Sequence, residues 1–151
     1  MKTVFLALMI LATASGLAAK PLTFTFAEYQ VDPATYSTDE LYPLDLLADL
    51  KPIASQSVVL SPEGNGKAVA TIGDSTVSLE VRAVPNKESR YQISVQHEFV
   101  SAYDGEFPIT SSRSREAGGT FKVGDERVIG GSKIGVDDDV QAYVWVAILT
   151  N

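Results

Sequence analysis

The chain has 151 residues, 45% of them apolar and 21% charged, with twelve Lys and Arg against nineteen Asp and Glu for a net charge of −7. It carries no Cys and one His, which excludes disulfides, thiolate metal sites, a Cys nucleophile, lipid attachment through Cys and any centre that needs two imidazoles. The length suits one domain with its own core, and a sequence pI near 4.6 argues against nucleic acid or an anionic membrane as the main partner.

At the start, Lys2 precedes an unbroken apolar run over residues 4–12, and small residues follow at Ala14, Ser15, Gly16, Ala18 and Ala19. This order of charge, apolar stretch and small-residue exit predicts a secretory signal peptide over residues 1–18, with Ala19 as the second choice of cleavage site. The run is too short to span a bilayer as a helix. Its removal takes away Lys2 alone and leaves eleven cations against nineteen anions, a net charge of −8. The expectation is an exported product, periplasmic or secreted, of bacterial type.

Residues 22–29 alternate apolar and polar, which predicts a strand with Leu22, Phe24 and Phe26 on its buried face. Ser37 and Glu40 have capping-box spacing, and Tyr36 and Leu41 could staple across a helix start. Pro43 interrupts that turn, so the helix expected here covers residues 44–50, with Leu44, Leu47 and Leu50 as its stripe and Pro52 as its stop. Residues 58–60 and 67–72 read as short strands, and Asn65-Gly66 between them matches a type I′ hairpin. The clearest hairpin pairs residues 77–83 with 91–99 across a turn at Pro85-Asn86-Lys87, with His97 on the apolar face of the second strand. Residues 111–116, 120–123 and 127–129 read as shorter strands parted by Gly118-Gly119 and Gly124-Asp125. Residues 140–149 close the chain with a strand that is apolar on both faces, which makes it central or brings its second face against a partner.

Each candidate site has a plain structural reading beside the chemical one. As a general base, His97 would need an orienting carboxylate and a nucleophile nearby; no Ser sits in a Gly-x-Ser-x-Gly elbow, so a hydrogen-bonded histidine at the core edge is the favoured reading. Asp137-Asp138-Asp139 could bind a hard cation, but it lacks the alternating oxygen ligands of a calcium loop and reads better as a solvated turn. Gly64-x-Gly66 and Gly118-Gly119 open no helix and carry no P-loop lysine, so they read as turns. No spacing selects a carboxylate pair for glycoside cleavage. Arg113 and Arg115 suggest an ion-pair face on an edge strand. Tyr143, Trp145 and Leu149 on the last strand form a candidate interaction patch, with burial in a two-layer core as the other reading.

The order of these elements resembles the C-terminal secretin domain, the homo-oligomerising β-domain of bacterial outer-membrane secretion and pilus channels. The resemblance runs through Leu22 to Val31, Leu46-Leu47-Ala48-Asp49-Leu50, Val58-Val59-Leu60-Ser61-Pro62 and Asn65 to Gly73. It continues through Val77-Ser78-Leu79-Glu80-Val81 before Pro85, then Thr120 to Gly131, and ends with the closing strand. Two departures stand out. Only Asp74, Ser75 and Thr76 separate Gly73 from Val77, where the family inserts its long pore segment, and the loop after Gly131 is short. The resemblance implies the fold and a ring-forming ancestry, while the missing segments argue against a complete channel; a transmembrane barrel would also need longer strands.

Taken together, the sequence predicts a mainly β, antiparallel, sandwich-like single domain over residues 19–151 with one short helix near its start. The leading functional expectation is an exported, non-enzymatic, secretin-like module that self-associates or docks onto protein partners of the cell envelope. It would need no cofactor and no metal, bind no nucleic acid, and carry no transmembrane helix once mature. The alternative is a monomeric β-sandwich module that binds peptide or glycan, and a carboxylate-based hydrolase is the third reading.

Overall fold

Alternation places every second side chain of an extended chain on the same face, and strands form where it holds. The computed structural model describes residues 20–151 except 73, 137 and 138, so the expected signal peptide over 1–18 lies outside the described residues. Eight strands form among the described residues: β1 (Thr23–Val31), β2 (Ala54–Val59), β3 (Gly66–Ile72), β4 (Ser75–Ala83), β5 (Arg90–Asp104), β6 (Phe107–Thr120), β7 (Glu126–Val136) and β8 (Asp139–Thr150). They make up 63% of the structure. One sheet has the order β2-β1-β8-β7 and the other β3-β4-β5-β6, and every pairing is antiparallel.

The two sheets share one hydrophobic cluster. Phe24 and Phe26 of β1 and Trp145, Ala147 and Leu149 of β8 pack with Leu79 and Val81 of β4 and Ile93 and Val95 of β5. Edge-to-face rings order this layer: Phe24 meets Tyr91 and Phe121 at 5.1 Å each, and Phe26 meets Trp145 at 5.8 Å. A second cluster lies on the other face of the β2-β1-β8-β7 sheet, where Val31, Ala142, Val144 and Val146 pack against Tyr42 and Leu47. The β1–β2 connection, residues 32–53, supplies that cover. β8 is therefore apolar on both faces because its own chain buries both, and it needs no partner to do so.

Three expected features differ. The helix over 44–50 is a four-residue 3-10 turn, Leu44–Leu47, closed by i→i+3 bonds such as Ala48 N–H to Asp45 C=O at 3.4 Å. Pro43 and Pro52 leave too few residues to offset helix nucleation, and of the expected stripe only Leu47 is buried. The capping box starts no helix either: Ser37 Oγ accepts from Asp39 N–H at 3.2 Å in a bend, Leu41 is exposed, and Tyr36 stacks on Tyr42 instead.

Second, β2 and β3 are not a hairpin, since they belong to different sheets. The positive φ falls on Gly64 (81°) and not on Asn65-Gly66. Gly64 N–H donates to Ser61 C=O at 2.8 Å, which closes the tight turn that lets the chain change sheets. Third, Gly118 and Gly119 sit inside β6, opposite Gln92 and Tyr91 of β5. The expected strand over 111–116 is thus part of one long strand that ends at Thr120, the expected strand over 120–123 does not form, and Gly124 (φ 92°) does form the turn expected of it.

Candidate functional site

β1 continues its buried face past Phe24 and Phe26 to Glu28, whose side chain is 0% exposed. An ionised carboxylate in such a place requires charged or hydrogen-bonded partners. They come from the opposite sheet. The ladder of β4, β5 and β6 sets Val77, His97 and Arg113 in one row and Ser75, Phe99 and Ser111 in the next. His97 and Arg113 are buried and turn toward Glu28.

Each carboxylate oxygen has its own donor. Arg113 Nε donates to Glu28 Oε1 at 2.7 Å, and His97 Nδ1 bonds Glu28 Oε2. On the far side of the imidazole, Ser75 Oγ lies 2.6 Å from His97 Nε2. A carboxylate only accepts, so Nδ1 carries a hydrogen; in the neutral ring Nε2 then has the free lone pair and the Ser75 hydroxyl donates to it. Arg113 Nη2, 3.3 Å from Nδ1, is then a close approach of two donors. The Glu28 carboxylate and the Arg113 guanidinium cancel each other's charge.

The guanidinium of Arg113 is also held on both faces, 3.8 Å from the Tyr143 ring centroid and 4.2 Å from that of Phe99. Such stacking suits the weakly hydrated, planar guanidinium. Tyr143 OH in turn donates to Gln141 Oε1. Beside this stack lies a cleft of about 430 Å³ lined by Phe99, Ser101, Ser111, Ser112, Arg113, Ile134, Gly135, Gln141 and Tyr143, a size common among small-ligand sites. Its lining strands β6 and β7 are the outer strands of their sheets. At one end Arg115 ties the two together, its Nε donating to Ile129 C=O at 3.1 Å. Gly130 makes that possible, because a Cβ there would lie 2.5 Å from Arg115 Nε.

The sequence placed His97 on the apolar face of its strand, and there it lies. Arg113 is on an edge strand as expected, but its ion pair points into the core. Tyr143, Trp145 and Leu149, the expected interaction patch, are all buried on the face toward the other sheet. Tyr143 grips Arg113 and lines the cleft, Trp145 packs on Phe26, and Leu149 fills the core, as the reading of burial in a two-layer core expects. Asp137 and Asp138 lie outside the described residues, and among the described residues no group of three His, Cys, Asp or Glu could hold a metal. Nor is any helix among them long and apolar enough to cross a membrane. Glu28 and Ser75 were not singled out by sequence reasoning. The available signal for Glu28 was a carboxylate on the apolar register of β1; for Ser75 there was none.

No family model matches the chain, and no curated protein or solved structure matches it either.

Proposed function

We propose that the chain is an exported, sandwich-like binding module that takes an extended peptide into the cleft between β6 and β7. The observation that carries this reading is that two outer strands line the same cleft, Ser111 to Arg113 from one and Ile134 and Gly135 from the other. An outer strand presents unpaired backbone N–H and C=O groups along its free side, and an extended peptide can pair with them. The stacked Arg113 makes that wall rigid, which lowers the ordering cost of binding. A peptide array, followed by amide chemical-shift mapping of the best binder, tests the reading. Saturable binding that perturbs residues 111–113 and 134–135, and that is lost in Ser111→Trp, is expected. No peptide binding, selective binding of glycans only, or perturbation confined to other surfaces would refute it.

A second reading is the secretin-like module that self-associates or docks onto an envelope assembly. It is favoured by apolar side chains left in solvent on β6 and β7: Phe107, 76% exposed, with Ile109 and Ile134. Light scattering on the mature chain discriminates. A concentration-dependent oligomer that dissociates in Phe107→Ser/Ile109→Ser supports this reading, and a monomer at all concentrations removes it.

A further inference from the structure

His97 has what a general base requires, an orienting carboxylate on one nitrogen and a hydroxyl on the other. We propose that Ser75 is a nucleophile for acyl transfer, with His97 as its base and Glu28 as the residue that positions the imidazole, acting on small carboxylic esters. The proposal goes beyond peptide binding and does not depend on it.

The geometry has three parts. Ser75 Oγ is 2.6 Å from His97 Nε2, within the range over which a proton passes directly. Glu28 accepts from Nδ1, so that in the neutral ring Nε2 is the proton acceptor. Ser75 begins β4 and is half-buried, whereas Glu28 and His97 are buried, so Ser75 is the most exposed of the three residues. Across the ladder Ser75 stands opposite Phe99, a residue of the cleft. The three residues come from β1, β4 and β5 and from both sheets, so the arrangement does not depend on one mobile loop.

The step balances without further reagents than water. Ser75 Oγ attacks the ester carbonyl carbon while its proton passes to His97 Nε2. The tetrahedral intermediate collapses, the C–O bond to the alcohol breaks, and the departing alkoxide takes the proton back from Nε2. Water then attacks the acyl-Ser75 ester with His97 again as base, releasing the carboxylic acid and restoring the hydroxyl. Glu28 offsets the charge of the imidazolium that forms, while Arg113, already paired with Glu28, opposes it. A slow enzyme that acylates once and turns over sluggishly is the expected behaviour.

The test is intact-mass and peptide-mapping analysis of the mature chain after exposure to a fluorophosphonate probe. One adduct per chain, on Ser75, is expected. Ser75→Ala should give none while keeping its Trp145 fluorescence, and His97→Asn should slow labelling by about 10²–10⁴-fold. Glu28→Gln should change the shape of the pH–rate profile of labelling as well as its amplitude, which a loss of structure alone would not do. An unlabelled wild-type chain, or an adduct on any residue other than Ser75, overturns the proposal whether or not the His97 and Glu28 variants fold.

Discussion

Replacing Glu28 by Gln preserves shape and removes one charge from the interior. Arg113 then remains a buried cation facing a neutral amide, and the amide NH₂ opposes the His97 Nδ1–H wherever its oxygen serves Arg113. Removing one partner of a buried ion pair costs about 3–5 kcal/mol, a large share of the roughly 5–15 kcal/mol that holds a typical domain. At about 2–4 °C per kcal/mol for a chain of this size, the melting temperature should fall by about 6–20 °C. Urea unfolding followed through Trp145, the only Trp and buried against Phe26, reports the change from within the shared core. The decisive comparison is Glu28→Gln/Arg113→Met. With both charges gone the uncompensated cation disappears, and the double variant should be more stable than the sum of the single effects predicts, by about 1–3 kcal/mol of coupling. A Glu28→Gln cost below about 1 kcal/mol, or strictly additive effects, would show that these side chains do not pair in the folded protein.

Other consequences follow from the same packing. Gly130→Ala places a Cβ 2.5 Å from Arg115 Nε at a φ of 159° and should cost about 1–3 kcal/mol; Arg115→Ala in the same chain should recover the part due to that contact in denaturant titrations, whereas an unchanged double variant would place the whole strain in the backbone. Leu47→Ala opens the cluster under the β1–β2 connection and should cost about 2–5 kcal/mol, while Leu46→Ala, half-exposed one residue earlier, should stay within about 0.5 kcal/mol; equal effects would contradict the burial pattern. The Lys122 N–H, donating to Asp125 Oδ2 at 2.9 Å, holds the Asp125 carboxyl below the ordinary aspartate value, with burial opposing and Arg127 assisting. Because the folded value is the lower one, the stabilisation is present above the unfolded aspartate value and is lost as pH falls through the folded one. A carboxyl-carbon NMR titration of Asp125 with its midpoint at or above the ordinary value would refute this.

Strands with one apolar face were legible in the sequence because each side chain there reports its own side. β1, the β4–β5 hairpin and β8 follow directly from Phe24/Phe26, Val77/Leu79/Val81 and the apolar run at 140–149. β6 was not legible as one strand: it lies at a sheet edge, is largely solvent-facing, and contains Gly118 and Gly119, which have no side chain to mark a face. The passage from β2 to β3 resembled a hairpin because Asn65-Gly66 suits one, and nothing local says that two short strands will enter different sheets. The both-sided apolarity of β8 leaves open a central strand or a partner on its second face; the central place is the one found, and the cover from residues 32–53 depends on Tyr42 and Leu47 returning over β8 from far along the chain.

The site divides the same way. His97 was placed by periodicity alone. Its partners were not, because Glu28 lies 69 residues away and Ser75 lies 22 away, and only the packing of two sheets brings them together. In the sequence, charge points Arg113 to an ion-pair face on an edge strand, and aromaticity leaves Tyr143 between an interaction patch and burial in a two-layer core; inside, each supplies what the other requires, a cation for the ring face and an apolar cover for the guanidinium.

The chain's single histidine makes the central claim directly measurable. A long-range ¹H–¹⁵N correlation spectrum of the ¹⁵N-labelled mature protein contains one imidazole, free of overlap. If His97 bridges Glu28 and Ser75, Nδ1 carries a proton that is strongly downfield and slow to exchange, and Ser75→Ala shifts Nε2 while leaving Nδ1 nearly unmoved. An Nε2–H tautomer, or a rapidly exchanging ring indifferent to both Glu28→Gln and Ser75→Ala, would contradict the account.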